Sequence, residues 1–268
     1  MKKMILPILL CALVLSACGA DPDTSEPAVT VSAATPEAVP TISVTVPVEE
    51  TTEPAEVPTE PDHSALYIPG VDVEDVIIWF NEVCLAAEYV HSGDPSFLQK
   101  WDTPIIYCVQ GSPTDYDLEV LESFAQWLNT LEGFPGISET ADPLAANLDI
   151  HFCTQPEMIS LMGEWTNGLD GAVTFWYDDN RVYDAVICVR SDLDQYLRNS
   201  VILEELYNGL GPIQDTSLRE DSLIYAGYSE PQEPTNIDRL ILQLLYHPDV
   251  KCGMISAQCE ELIRKLYY

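Results

Sequence analysis

The run Ile202-Leu203-Glu204-Glu205-Leu206-Tyr207-Asn208-Gly209-Leu210-Gly211 limits the chain's folds more than any other stretch. It reads as the end of a helix that begins near Leu193 and stops at a glycine. At about 100° per residue, Glu204, Asn208 and Gly211 share one side with Leu193, Leu197 and Val201. A second face carries Tyr196, Leu203, Leu206, Tyr207 and Leu210. A helix apolar over most of its circumference is buried. Glu204 and Asn208 are therefore expected to face a protected space.

The ends of the chain differ in kind. Lys2 and Lys3 precede an apolar run from Met4 to Val14, and Leu15-Ser16-Ala17-Cys18 follows with Gly19 behind it. This matches the bacterial lipobox, so residues 1–17 are expected to be a signal peptide and Cys18 the lipidated N-terminus of the mature chain. Several acyl chains on one Cys give stable anchoring, at about 0.8 kcal/mol per buried CH2. Residues 18–65 are rich in Pro, Thr, Val, Ala and acids. From Asp21 onward they hold ten acids and no Lys or Arg. Such a stretch cannot bury enough apolar surface to offset its ordering entropy. It is expected to be a disordered tether with a reach on the order of 130 Å when extended. The sequence thus places the protein on the extracytoplasmic face of a cell membrane, held there through Cys18.

Residues 66–268 are long enough for one domain with its own core. Across the chain, 11 basic residues face 44 acidic ones, a net charge of −33. Nucleic acid is excluded as a partner, because no basic surface can offset phosphate charge. Six Cys lie beyond Cys18: Cys84, Cys108, Cys153, Cys188, Cys252 and Cys259. Disulfides are permitted outside the cytoplasm. Cys108, Cys153 and Cys188 instead sit in apolar runs suited to small core residues, which favours free thiols. No C-x-x-C pair occurs, and no two of the four His lie three or four residues apart, so no local metal chelate or cofactor is implied.

Periodicity predicts helices over Val73–Tyr89, Tyr116–Leu131, Thr154–Met162, Leu193–Leu210, Asn236–Tyr246 and Ser256–Tyr267. Leu118, Leu121, Phe124, Leu128 and Leu131 form the expected buried stripe of the second. Strands are predicted over Ile105–Gln110, Asn147–Cys153, Val173–Tyr177 and Val182–Val189, the last two joined by Asp178-Asp179-Asn180-Arg181 as a hairpin turn. Ser191 or Asp192 is expected to cap the central helix. The fold class is α+β: a twisted mixed sheet packed with helices, then a helical C-terminal part. The Ile105, Ile150, Phe175 and Ile187 runs are expected to share one sheet.

The central helix resembles the metal helix of zincin peptidases, H-E-x-x-H-x-x-G, in which two His bind zinc and the Glu acts as base. Here the frame reads Glu204-Glu205-x-x-Asn208-x-x-Gly211. The base position, Glu205, and the glycine match; both His positions differ. The resemblance puts the third ligand at Gln214, with Asp215 beside it, and Ser222-Leu223-Ile224-Tyr225 where a metzincin-like turn lies under the site. The chain also resembles bacterial lipoproteins of Domain of Unknown Function 2927, which carry E-E-x-x-Q-x-x-G and then Asp, D-S-I-F, I-D, L-L-Y-D-P and G-M. The corresponding residues are Glu204-Glu205, Asn208, Gly211, Asp215, Asp221 to Tyr225, Ile237-Asp238, Leu244 to Pro248 and Gly253-Met254. This resemblance implies a zincin-like fold and no established activity.

Glu204, Asn208 and Asp215 are oxygen donors that suit a hard cation better than zinc. Zinc is therefore not expected. Two adjacent buried carboxylates could also share a proton. The favoured expectation is a non-catalytic surface lipoprotein that binds a peptide, glycan or protein through a vestigial cleft. In it, Glu204 and Asn208 would hydrogen-bond to hold the helix on the Ser222–Tyr225 turn, Glu205 would serve a hydrogen bond, and Gly211, Ser222, Ile224 and Tyr225 would shape the cleft. Trp165, Trp176 and Tyr177 would stand in the core or on a cleft wall. The alternative is a metal-dependent peptidase or hydrolase with oxygen ligands.

Overall fold

The computed structural model describes residues 64–85, 97–227 and 230–268. The signal segment, Cys18 and the tether lie outside the described residues. Six strands make one sheet: β1 (Lys100–Trp101), β2 (Ile105–Gly111), β3 (Ile137–Glu139), β4 (Leu148–Cys153), β5 (Gly171–Asp178) and β6 (Arg181–Arg190). β3, β2, β4 and β6 run parallel in that order. β5 closes the sheet as an antiparallel edge on β6, and β1 pairs in parallel with the first residues of β6. The four runs expected to share a sheet do so.

Alternation in the strands sets the two faces. Leu148, Ile150 and Phe152 lie beside Ala185, Ile187 and Val189 in register, all buried on one face. The opposite face places Cys153 and Cys188 together under Met158. That Met comes from α3 (Gln155–Met162). The hairpin turn has Asp179 and Asn180 both at positive φ, as a tight two-residue turn requires.

Against the first face pack α2 (Asp115–Leu128) and α4 (Gln195–Gly209). Thr114 caps α2 and Asp117 returns the bond to its backbone N–H, a complete capping box. Leu118 is exposed rather than part of the buried stripe, and Asp117 is buried in its place. Leu131 is buried but lies beyond the helix end. α4 is capped by Asp194, not Ser191 or Asp192. Ser191 is held further back, its N–H donating to the Cys153 carbonyl. Tyr196, expected on a buried face, is 55% exposed in the first turn.

Beyond α4 come a loop, then α5 (Asn236–Tyr246) and α6 (Ser256–Tyr267), with α1 (Val73–Leu85) packed on α6. Residues 86–89, read as the end of α1, lie outside the described residues. The last carbonyls of α4 find side-chain donors: Trp101 Nε1 reaches Gly209 at 2.9 Å, and the Tyr246 hydroxyl reaches Leu210 at 2.7 Å. Both would otherwise be buried without partners. Cys84, Cys108, Cys153, Cys188, Cys252 and Cys259 are free thiols. Among the described residues, no helix is long and apolar enough to cross a membrane.

Candidate functional site

The second half of α4 lies over the β5–β6 hairpin, with Gly209 facing Val173 and Ile187. This approach buries Glu205 and Asn208 and leaves Glu204 half-buried. Glu205 packs against the start of β5. Its Oε1 and Cγ, with Val201 Cγ1, fill the space a side chain at Gly171 would need. No hydrogen bond to the Glu205 carboxyl is present among the described residues, which corrects the expectation that burial would give it one.

The electrostatics follow from crowding. Burial, then Asp215, then Asp170 push the Glu204 carboxyl up to about 8. Burial, then Glu204 and Asp215, hold Glu205 well above the ordinary carboxylate range. Each charge is costly in low dielectric beside another of its sign, so the protonated forms are favoured. Asn208 Nδ2 donates to Asp215 Oδ1 at a long 3.5 Å, and Asn208 Oδ1 is buried with no partner among the described residues.

Asn208 therefore reaches from α4 to Asp215 rather than to the Ser222–Tyr225 turn, which corrects the expected bracing. The turn is held from α5. Asp238 accepts from Ser222 Oγ at 2.7 Å and from the Leu223 N–H at 3.3 Å. Tyr207 of α4 completes the link, its hydroxyl donating to the Asp238 carbonyl at 2.9 Å. Ser222 and Ile224 are fully buried and Tyr225 half-buried. Thr216 pairs with this turn through the Ile224 carbonyl at 2.8 Å and the Ala226 N–H at 2.9 Å. The other side of the loop is tied to α1: the Gln214 N–H donates to Val83, and Thr216 Oγ1 to Glu82.

Gly211 leaves α4 at φ +128°, and a β-carbon there would meet the Gln99 carbonyl at 2.8 Å and Leu245 at 3.0 Å. Its place is set both by conformation and by contact. Of the aromatics, Trp165 is anchored below α3 through the Met162 carbonyl at 2.7 Å. Trp176 and Tyr177 are half-buried along β5. Asp170 and Gly171, whose contact with the site is purely tertiary, carry no local sequence signal beyond that of a loop.

The donor set does not fit catalytic zinc. Zinc is held by imidazole, thiolate or ionised carboxylate, whereas Glu204 is a carboxylate of raised pKa and Asn208 and Gln214 are neutral amides. Among the described residues, no three His, Cys, Asp or Glu side chains are arranged to hold a metal ion.

No curated protein matches this chain. Residues 74–265 match the family described as Protein of unknown function (DUF2927), so the chain belongs to that family.

Proposed function

We propose that the protein is a lipid-anchored surface protein whose zincin-like domain binds an extended peptide without cleaving it. The observation that carries this reading is the placing of Glu205. The residue at the base position of the peptidase frame is packed on Gly171 and Val201 with its carboxyl shifted toward the neutral form. A neutral acid cannot take a proton from water. Peptide is favoured as the ligand because β5 pairs only with β6 among the described strands, leaving one edge beside α4 for strand addition. Anchoring rests on Leu15 to Cys18, and the strongly acidic chain favours a basic or neutral peptide.

Labelled peptide libraries titrated onto the purified protein test this, with digestion followed by mass spectrometry and metal by elemental analysis. Saturable binding that survives chelator, with peptides intact, is the expected result. Chelator-sensitive cleavage abolished by Glu205→Gln would overturn it. That outcome would favour a second reading, a hydrolase using hard-cation oxygen ligands, which draws on the unpartnered Asn208 Oδ1 beside Asp215. For the anchor, a mature N-terminus at Cys18 and its loss in Cys18→Ala are expected. An unmodified N-terminus elsewhere would sink the anchoring claim.

A further inference from the structure

Asn199 lies nine residues before Asn208 on α4, which is half a turn away at about 100° per residue. It faces the other side of the helix. There α2, α4 and the segment leading into α5 line an open cavity of about 340 Å3, within the size range of small-ligand sites. Phe124 and Leu203, both buried, supply apolar lining. Tyr116, about half exposed, and Trp127 stand among the lining aromatics.

Two polar groups in this lining keep hydrogen-bonding capacity that is unused among the described residues, one a buried amide and one a half-buried guanidinium. Asn199 is 2% exposed, and its Oδ1 has no partner among the described residues. Its orientation is set by a chain of bonds. Gln232 Nε2 donates to the carbonyls of Tyr196 and Glu230, which leaves Gln232 Oε1 to accept from Asn199 Nδ2 at 2.6 Å. Oδ1 is thus turned away from its only polar neighbour in that chain. The second group is Arg239. Its guanidinium lies 4.9 Å over the Trp127 ring and its Nε donates to the Pro234 carbonyl, while its two terminal nitrogens make no hydrogen bond among the described residues.

We propose that this cavity binds a ring of a neutral saccharide. A sugar presents an apolar C–H face together with hydroxyls that both donate and accept. It can stack on the aromatic lining, donate toward Asn199 and accept from Arg239. An acetamido substituent adds an N–H, a carbonyl and a methyl group suited to the same three features. The lining polar groups are side-chain hydroxyl, amide, carboxylate and guanidinium, and no free strand edge enters the cavity, so an extended peptide has no ladder to join. Glu119 and Glu233, both exposed in the lining, disfavour an anionic sugar.

The test is amide and indole NMR of the mature chain titrated with neutral mono- and disaccharides, glucose and N-acetylglucosamine among them. Saturable shifts of the Trp127 indole and Arg239 Nε signals are expected. Ser123→Trp should weaken them at least tenfold by filling the cavity from an exposed position, and Asn199→Leu should do the same by removing the acceptor. If Asn199→Leu fails to fold, Ser123→Trp alone decides. No shift at tens of millimolar sugar, shifts that persist in Ser123→Trp, or shifts produced by peptides instead would each overturn the proposal. Peptide binding at the β5 edge should be unchanged in Ser123→Trp, so the two readings fail separately.

Discussion

The Oε1 atom of Glu205 stands 2.6 Å from where a β-carbon on Gly171 would lie, and Val201 Cγ1 stands 2.4 Å from it. The first residue of the edge strand is therefore glycine because α4 leaves it no volume. Gly171→Ala forces either the strand or the helix outward, and a loss of about 1–3 kcal/mol is expected, the usual cost of overpacking. Denaturant melts check this. The Glu205→Ala background should recover part of the loss, because the carboxyl is one of the two obstructing groups. Full additivity of the two substitutions would show that the contact is not the cause.

Glu204 and Glu205 give the domain a specific pH dependence. Both folded pKa values lie above their unfolded ones, Glu204 at about 8. The unfolded chain therefore binds fewer protons than the folded one across the interval between. Stability contributed by Glu204 is fully present below about pH 4.5 and is lost as pH rises through about 8, and Glu205 acts in the same direction. Glu204→Gln should flatten this slope and raise the melting temperature at pH 8. Melting curves from pH 4 to pH 9 on both proteins measure it. A wild-type stability that rises over that window, with no difference in the variant, would contradict the assignment.

Asp117 and Arg198 form the buried ion pair that joins α2 to α4, at 3.0 Å, with side chains 0% and 7% exposed. The pair is fully bonded. Asp117 also accepts from Gln195 Nε2 and the Thr114 N–H, and Arg198 donates to the Ser191 and Leu193 carbonyls. Removing one partner leaves the other charge buried and alone, so Asp117→Ala and Arg198→Ala should each cost about 3–5 kcal/mol. The double variant should cost much less than the sum. A double-mutant cycle by urea denaturation gives the coupling directly.

This pair also explains what the sequence conceals. The stripe Leu121, Phe124 and Leu128 is legible from spacing, and the register of β4 on β6 agrees with the alternation that puts Leu148, Ile150 and Phe152 on one face. Asp117 has the appearance of a surface residue until Arg198, 81 positions away, gives it a partner. β3 is three residues long and β1 two, too short for a period to register. β3 exists because β2 templates it and Asn129 bonds both the N–H and the carbonyl of Ile137. At the site, Glu204, Glu205, Asn208 and Gly211 were readable as a frame on one helix. Asp170 and Gly171 were not, since only the approach of α4 to β5 brings them there.

The turn at Ser222–Tyr225 hangs on Asp238. This carboxylate accepts from Ser222 Oγ and the Leu223 N–H, and also from the N–H and hydroxyl of Thr235 at 2.9 Å each. One side chain thus caps α5 and fixes the Ser222–Tyr225 turn. Burial raises its pKa while all four donors act to lower it. Asp238→Asn keeps the shape but turns an NH2 group toward donors, so at least one bond becomes a repulsion. A loss of about 1.5–3 kcal/mol is expected, the range for hydrogen bonds to a charged group. Ser222→Ala removes one bond of the set and should cost about 1–2 kcal/mol. The turn also meets Thr216, which leads back to Asp215 and hence to Asn208. Asp238→Asn should therefore weaken peptide binding at the β5 edge under conditions where the protein remains folded. Ser123→Trp, in the separate cavity, should leave it unchanged. Unfolding curves and peptide titrations on the two variants test both halves, and equal peptide affinity in Asp238→Asn and wild type would detach the turn from the cleft.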